Sequence, residues 1–415
     1  MGFQQGLSGL SAAASGLDVI GNNIANTATV GFKSSTAQFA NVYTASLSAA
    51  GSAPIGAGVQ VAGVAANFIQ GNISVTSNPL DVAIDGGGLF RLDTNGVVTY
   101  TRNGQFHVDN SGYLVNTANA KVTGYSAVNG TVVPGAVAPL SMPTGDLTPA
   151  PTTKAGIVVN LDSRAVAPTV AWDPAVPESY NSATSITVYD SLGNAHSLAT
   201  YYVKTAVANV WDVHAAIDGT SVAGSIGTLT FDTSGALIGP VVAAGPPAVL
   251  GFASVPITLP APGGAVATVT LAPVAYTGTT QFGNSFGVTA LSQDGYSSGK
   301  LSAFSIADNG MMMGRYTNGQ SRVLGQVALA TFANVEGLQP LGGNAFAMTS
   351  ASGQALVGSP GSGNLGGLQS GAVEESNVDL TRELVGMIVA QRFYQANAQT
   401  VKTQDQVLST LVNLR

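Results

Sequence analysis

Residues 1–27, MGFQQGLSGLSAAASGLDVIGNNIANT, decide how the rest of the chain is organised. Large apolar residues fall at Phe3, Leu7, Leu10, Leu17 and Ile24, and Ala14 and Gly21 fill the remaining places of an alternating four-three spacing. Residues 376–415 repeat the rule at Leu384, Met387, Tyr394, Ala398, Val401, Leu408 and Val412, with Gln391 and Asp405 interrupting it. A repeat of about 3.5 residues lays one narrow apolar seam along a helix, the surface a coiled-coil partner needs. Gly2, Gly6, Gly9, Gly16 and Gly21 weaken the first segment, since each interior glycine costs about 0.5–1 kcal/mol relative to alanine. A helix of about 25 residues is also roughly 37 Å long, more than a compact domain needs for its own core. The two ends are therefore expected to pair with each other and with the ends of neighbouring copies. The inter-subunit seam would consist of Phe3, Leu7, Leu10, Leu17, Ile24, Leu384, Met387, Tyr394, Val401, Leu408 and Val412.

Between the ends the pattern is β. The 415 residues suffice for about three domains of ordinary size. Residues 29–70 are rich in Ala, Ser, Gly and Asn without a clear period, and read as extended or irregular connection. From Gly71 short alternating runs are divided by Asn95-Gly96, Asn103-Gly104 and Asn110-Ser111-Gly112. Asn-Gly between alternating runs signals a hairpin, because both central residues of a type I′ turn need positive φ. A second β region includes Ile186–Tyr189, the turn Asp190-Ser191-Leu192-Gly193-Asn194, and His196–Lys204. Pro/Gly/Ala-rich stretches at about 132–151 and 240–262 suit boundaries and exposed loops. A chain that goes out and returns gives nested domains: an inner helical coiled coil (1–28 with 376–415), a linker region (29–70 with 358–375), a middle β domain (71–145 with 281–357) and an outer β domain (146–280). The fold class is α+β, mainly β, with sandwich or barrel domains inserted between the terminal helices.

Composition narrows the function. Charged residues make up 8% of the chain, against about 25% in ordinary soluble domains. Surfaces with so little charge can meet copies of themselves without desolvating many ions. The net charge of −7 and the singly scattered lysines argue against nucleic acid, which selects Lys/Arg clusters. There is no cysteine, which excludes disulfides and thiolate chemistry. The start lacks the basic and continuous apolar regions of a cleavable signal. No apolar run is long enough to insert in a membrane.

No catalytic, cofactor or metal constellation emerges. Asp85-Gly86-Gly87-Gly88 lacks the lysine and the following helix of a phosphate loop. His107, His196 and His214 lie far apart, each in a strand-like run without a carboxylate at ligand spacing. Glu374-Glu375 with Asp379 reads as an acidic cluster at a helix start, with Asn377 or Asp379 as N-cap. Met311-Met312-Met313 reads as a strand with one buried methionine. Phe39 and Tyr43 differ, being two aromatics four apart in a small-residue segment, and suit a partner surface.

These residues carry a resemblance. Gln5–Leu10, Gly21–Asn26 and Gly31-Phe32-Lys33 resemble the N-terminal signature of the flagellar rod and hook axial protein family. Ser376–Leu380 with Met387–Arg392 is similar to its C-terminal one. In the middle, Ile186–His196, Thr280–Phe286, Gln293–Tyr296 and Leu324–Leu341 resemble the hook members, while 132–180 and 240–275 resemble nothing. The resemblance implies a hollow, curved tube outside the cell, serving as a universal joint that passes torque from rod to filament. It implies a homopolymer whose other partners are the distal rod protein, the hook cap protein, the hook–filament junction proteins, the hook-length control protein and the flagellar type III export apparatus. Export would proceed without a cleaved signal, with Phe39 and Tyr43 matching the pattern the export gate recognises. Some members crosslink a cysteine to a lysine of the next subunit, and this chain, having no cysteine, lacks that chemistry. A rod subunit would share both ends but not the Ile186–His196 insertion, and a secreted β-scaffold adhesin would not explain the paired terminal repeats.

Overall fold

The computed structural model describes residues 2–413 except 43–55, 57, 129, 144, 223, 240, 243–248, 251–254, 261–265, 272 and 273. Two units divide the chain. The first is Met1–Thr144 with Ala303–Gly314 and Ser321–Arg415, and the second is Gly145–Ser302 with Arg315–Gln320. Both are built mainly of strands, and the long helices stand at the ends of the chain.

In the first unit, helix α1 (Gly2–Ala25) packs along helix α2 (Leu380–Asn413). Asp379 caps α2, its Oδ1 accepting the N–H groups of Thr381 and Arg382 at 3.0 and 3.2 Å, as an N-cap does for the first unpaired donors of a helix. The linker reading of 29–70 needs correction. Strand β1 (Ser35–Val42) pairs antiparallel with β2 (Gly58–Ala66), with a bulge between Gln38 and Phe39, and both strands pack on α1. Small residues give these strands little hydrophobic period, so their extended shape comes from packing against the helix rather than from intrinsic preference.

The β body of this unit follows its turn residues in one place and departs in another. Leu89–Thr94 and Val97–Thr101 meet through Asn95-Gly96, whose φ values are 52° and 90°, so the expected hairpin forms. Asn103-Gly104 instead makes a close backbone crossing. The Val82 N–H donates to the Gly104 carbonyl at 2.9 Å, and a β-carbon on Gly104 would fall onto the Val82 carbonyl. The core gathers Leu89, Tyr100, Ala330, Phe332, Leu338 and Phe346, with Tyr100 and Phe332 edge-on at 4.8 Å. In the strand Met311–Tyr316, Met312 is buried and Met313 exposed.

The second unit is a sandwich. One sheet centres on Ala155–Asp162, which pairs antiparallel with Gly287–Gln293 and parallel with Thr280–Phe282. The other is antiparallel, in the order Ser182–Tyr189, Ala195–Lys204, Val210–Ile217, Gly227–Phe231, Leu237–Gly239. Alternate residues of each sheet, among them Ile157, Val159, Leu161, Leu198, Tyr202, Trp211 and Leu229, meet in one core, the arrangement of two packed sheets. Among the described residues neither sheet closes into a barrel. Residues 281–302 were expected in the middle domain but belong to this unit, because Gly287–Gln293 completes the sheet begun by Ala155–Asp162. At the neck of the unit Leu147 and Gly299 exchange backbone hydrogen bonds, as do Ala150 and Tyr296.

His196, read from the sequence as having no carboxylate beside it, lies between two. Nδ1 is 2.7 Å from Asp218 Oδ2 and Nε2 is 3.5 Å from Asp190 Oδ2. The hairpin folds Asp190 back onto it, and the strand pairing of Leu198 with Ile217 brings Asp218 alongside. Burial opposes charge on the imidazole, but its bonds to Asp218 and Asp190 outweigh burial and raise its pKa. Burial likewise opposes charge on Asp190, but bonds from Asn194, Leu192 and His196 lower its pKa, and bonds from His196 and Ser197 lower that of Asp218. A raised histidine stabilises fully below its unfolded value of about 6.5 and loses that contribution as pH climbs through the folded value, whereas lowered carboxylates contribute above about 4 and lose it in acid. His196→Gln should therefore destabilise this unit most between about pH 4 and 6.5, with the deficit shrinking at alkaline pH. Calorimetric midpoints measured across that range would show it, and a pH-independent deficit would refute it.

Candidate functional site

The two helices meet where glycines of one stand against larger side chains of the other. A β-carbon on Gly6 would lie 2.9 Å from Val401 Cγ2, one on Gly9 would lie 2.5 Å from Asn397 Oδ1, and one on Gly386 would lie 3.6 Å from Ile20 Cδ1. Asn23 Nδ2 donates to Glu383 Oε1 at 3.1 Å. Low numbers of α1 thus oppose high numbers of α2, so the helices run antiparallel. The internal contact line of α1 includes Gly6, Gly9, Ile20 and Asn23, each one position before a member of the expected line (Leu7, Leu10, Gly21, Ile24). One residue is about 100° of helix rotation. Of the glycines that weaken α1 as an isolated helix, Gly6 and Gly9 lie against α2, whereas Gly16 faces Phe39 and Gly21 has nothing within 4 Å of an added β-carbon.

The expected seam is thus only partly turned away from the internal one, since Val401, one of its members, meets Gly6. Phe3, Leu7, Leu384, Tyr394 and Leu408 are exposed in a single copy, while Leu10, Leu17, Ile24, Met387 and Val401 are half-buried. The side chain of Val412 lies outside the described residues. Beside the pair, α1, β1 and α2 border an apolar groove of about 590 Å³, lined by Ala12, Ala13, Gly16, Phe39, Val389 and Phe393 among others. Phe39 remains half exposed on β1. Tyr43 lies outside the described residues.

Below the helices sits a buried ionic cluster that sequence reading missed. Glu374, expected at a helix start, has a side chain with no exposed surface. Its Oε1 accepts Lys33 Nζ at 2.6 Å and the Gly71 N–H at 2.8 Å, and its Oε2 accepts Arg102 Nε at 2.6 Å. Lys33 Nζ also donates to the Ile69 carbonyl at 2.7 Å. Arg102 donates to the carbonyls of Gly88, Gly86 and Ile84. Burial pushes the Lys33 ammonium below its ordinary pKa, with Glu374 acting against that shift. Asparagines extend the junction. Asn23 bonds both the N–H and the carbonyl of Ser35, at 2.9 and 2.8 Å, and Asn377 accepts from Ser34 N–H at 2.7 Å and donates to the Asn67 and Ile69 carbonyls. The only available signal was the placement of Lys33 and Asn377 inside the two signature stretches.

Comparison with known proteins fits this architecture from end to end. Residues 3–33 match the family model for the flagellar basal body rod protein, and 369–414 match that for the C-terminal part of flagellar basal body rod FlgEFG proteins. Residues 83–190 match the flagellar hook protein FlgE/F/G D1 domain, and 160–296 match the flagellar basal body protein FlaE D2 domain. A helix pair built from both ends, carrying inserted β domains of these two kinds, defines the class of rod and hook axial proteins. The chain is 44% identical to flagellar hook protein FlgE of Escherichia coli K12 and 45% identical to that of Salmonella typhimurium LT2, with both chains covered in full in each case. It is 36% identical to FlgE of Borreliella burgdorferi over 99% of this chain and 98% of that one. The chain belongs to the flagellar hook protein FlgE family, and its role is that of a structural hook subunit. The crystal structure of Helicobacter pylori FlgE2 shares the fold, with a TM-score of 0.50 at 15% identity over 72% of this chain and all of that one.

Proposed function

We propose that the chain polymerises through the outward line of its helix pair into the curved hollow tube of the hook, a joint carrying torque between rod and filament. The observation that carries this reading is the exposure of Phe3, Leu7, Leu384, Tyr394 and Leu408 along helices whose internal contact is already made by Gly6 with Val401, Gly9 with Asn397, Ile20 with Gly386 and Asn23 with Glu383. Apolar side chains in that number on two long helices favour burial against further helices. The low charge of the chain suits contacts that must be exchanged as a joint turns, because desolvated ion pairs would have to be broken at each exchange. The expected outcome for Leu7→Asp with Leu384→Asp is a monomer that forms no tubes under conditions in which the parent chain does. Both β units should keep their thermal transitions. Electron microscopy with sedimentation decides it, and tubes at parental yield would sink the reading.

The same reading makes the distal rod, hook cap, hook–filament junction and hook-length control proteins the chain's neighbours, and the flagellar type III apparatus its route out of the cell. Phe39, half exposed on β1, is the residue proposed to meet the export gate, together with Tyr43. Phe39→Ala should reduce the amount secreted several-fold while leaving the amount inside the cell undiminished. Equal secretion by both chains would remove Phe39 from this role. Among the described residues no helix is long and apolar enough to cross a membrane.

A further inference from the structure

We propose that Glu374 is a completion latch: its carboxylate makes the placement of the N-terminal segment conditional on arrival of the C-terminal one. The cluster holds two cations and one anion. Lys33 and Arg102 are both buried, and Glu374 is the carboxylate that bonds to each of them. Their other partners, Ile69, Ile84, Gly86 and Gly88, are backbone carbonyls of the first part of the chain. Lys33 lies 341 residues before Glu374, and Arg102 lies 272 before it. A chain that emerges from its N-terminus therefore has every member of the cluster except the anion until its last segment appears. Carbonyl dipoles alone do not offset the burial of two full charges, so without Glu374 the site stays open to water.

What the latch fixes is specific. The Glu374 carbonyl accepts the Gly31 N–H at 2.8 Å, and its carboxylate accepts the Gly71 N–H. One residue thus ties the segment leaving α1, the chain following β2, and the Arg102 strand end to the chain that leads into α2. Asn23, Asn377 and Glu383 repeat the logic with N-terminal partners bonded to C-terminal ones. The chain's two ends are placed together or not at all.

The charge count separates this proposal from a merely structural salt bridge. Glu374→Gln leaves two buried cations facing each other, whereas Lys33→Met leaves Arg102 and Glu374 balanced. In the soluble full-length chain, Glu374→Gln should speed amide exchange at Gly31 and Gly71 by about a hundredfold or more, and Lys33→Met by less than about tenfold. Adding Lys33→Met to Glu374→Gln removes one of the two stranded cations and should restore part of the protection. Amides of Ala195–Lys204 and Val210–Ile217 in the second unit report that the rest of the chain is folded, and should not change. Should Glu374→Gln yield no folded chain, the double variant Glu374→Gln with Lys33→Met, which strands Arg102 alone, takes its place and must still loosen Gly31 and Gly71 more than Lys33→Met does. Parental exchange in the Glu374 variant, or an equal effect of Lys33→Met, overturns the latch. The readout is taken on single chains, so it stands apart from whether the chain polymerises.

Discussion

Trp211→Ala is expected to take most of the stability out of the second unit. Trp211 is 1% exposed at the centre of the sandwich core, and truncating a buried tryptophan costs about 3–5 kcal/mol through lost transfer energy and the cavity left behind. A further loss comes from polarity. The indole Nε1 donates to Gln281 Oε1 at 2.9 Å, and leaving that buried acceptor unpaired adds about 1–3 kcal/mol. Gln281 in turn donates to Asn209 Oδ1 at 3.1 Å, so the defect extends to the loop before the Trp211 strand. Against a total stability of about 5–15 kcal/mol, the sum is large enough to unfold the unit near physiological temperature. Differential scanning calorimetry should show its transition lowered by about 10 °C or more. The first unit should keep its own transition. A shift of only a degree or two would mean that the core repacks far more freely than its density implies.

Gly104→Ala should be the most damaging single methyl in the first unit. The added carbon falls onto the Val82 carbonyl oxygen and within 3.0 Å of Phe90 Cε2. Val82 and Phe90 are buried. A backbone oxygen cannot rotate aside as a side chain can, so the Val82 and Gly104 backbones must separate and the hydrogen bond between them is lost. Overpacking of this kind costs about 1–3 kcal/mol, and the lost hydrogen bond adds about 1 kcal/mol. Gly96→Ala is the control. Gly96 has φ 90° with nothing within 4 Å of the added carbon, so its cost is confined to backbone strain of about 1–2 kcal/mol. Urea unfolding of the two variants should rank Gly104→Ala well below Gly96→Ala, and the reverse order would contradict the crossing geometry.

The contrast between those glycines also marks what the sequence could reveal. Asn95-Gly96 and Asn103-Gly104 are the same dipeptide between similar runs, yet one is a hairpin turn and the other a crossing. The difference is made by Val82, more than twenty residues away, and nothing local encodes it. The helical repeat at both ends was legible because periodicity is local, and so was their pairing. The side on which they pair was not. Large apolar residues mark one line of α1, but the internal contact runs one position before it, through Gly6, Gly9, Ile20 and Asn23. Glu374 was misread for a similar reason. Beside Asp379 it looks like a charge at a helix start, and only the fold brings Lys33 and Arg102 to it. The hairpin of β1 and β2 escaped because its residues are small and it packs on a helix rather than on a core of its own.

The neck at Leu147–Gly299 has a use in protein engineering. Because the strands entering and leaving Gly145–Ser302 are zipped to each other by reciprocal backbone bonds, that segment is a cassette with paired ends. A foreign domain whose termini lie equally close is expected to be accepted at this position, provided that Arg315–Gln320, which belongs to the same unit and donates from the Thr317 N–H to the Lys300 carbonyl, is exchanged with it. The exchange alters no residue of the helices. A chain so edited would carry its cargo once per copy.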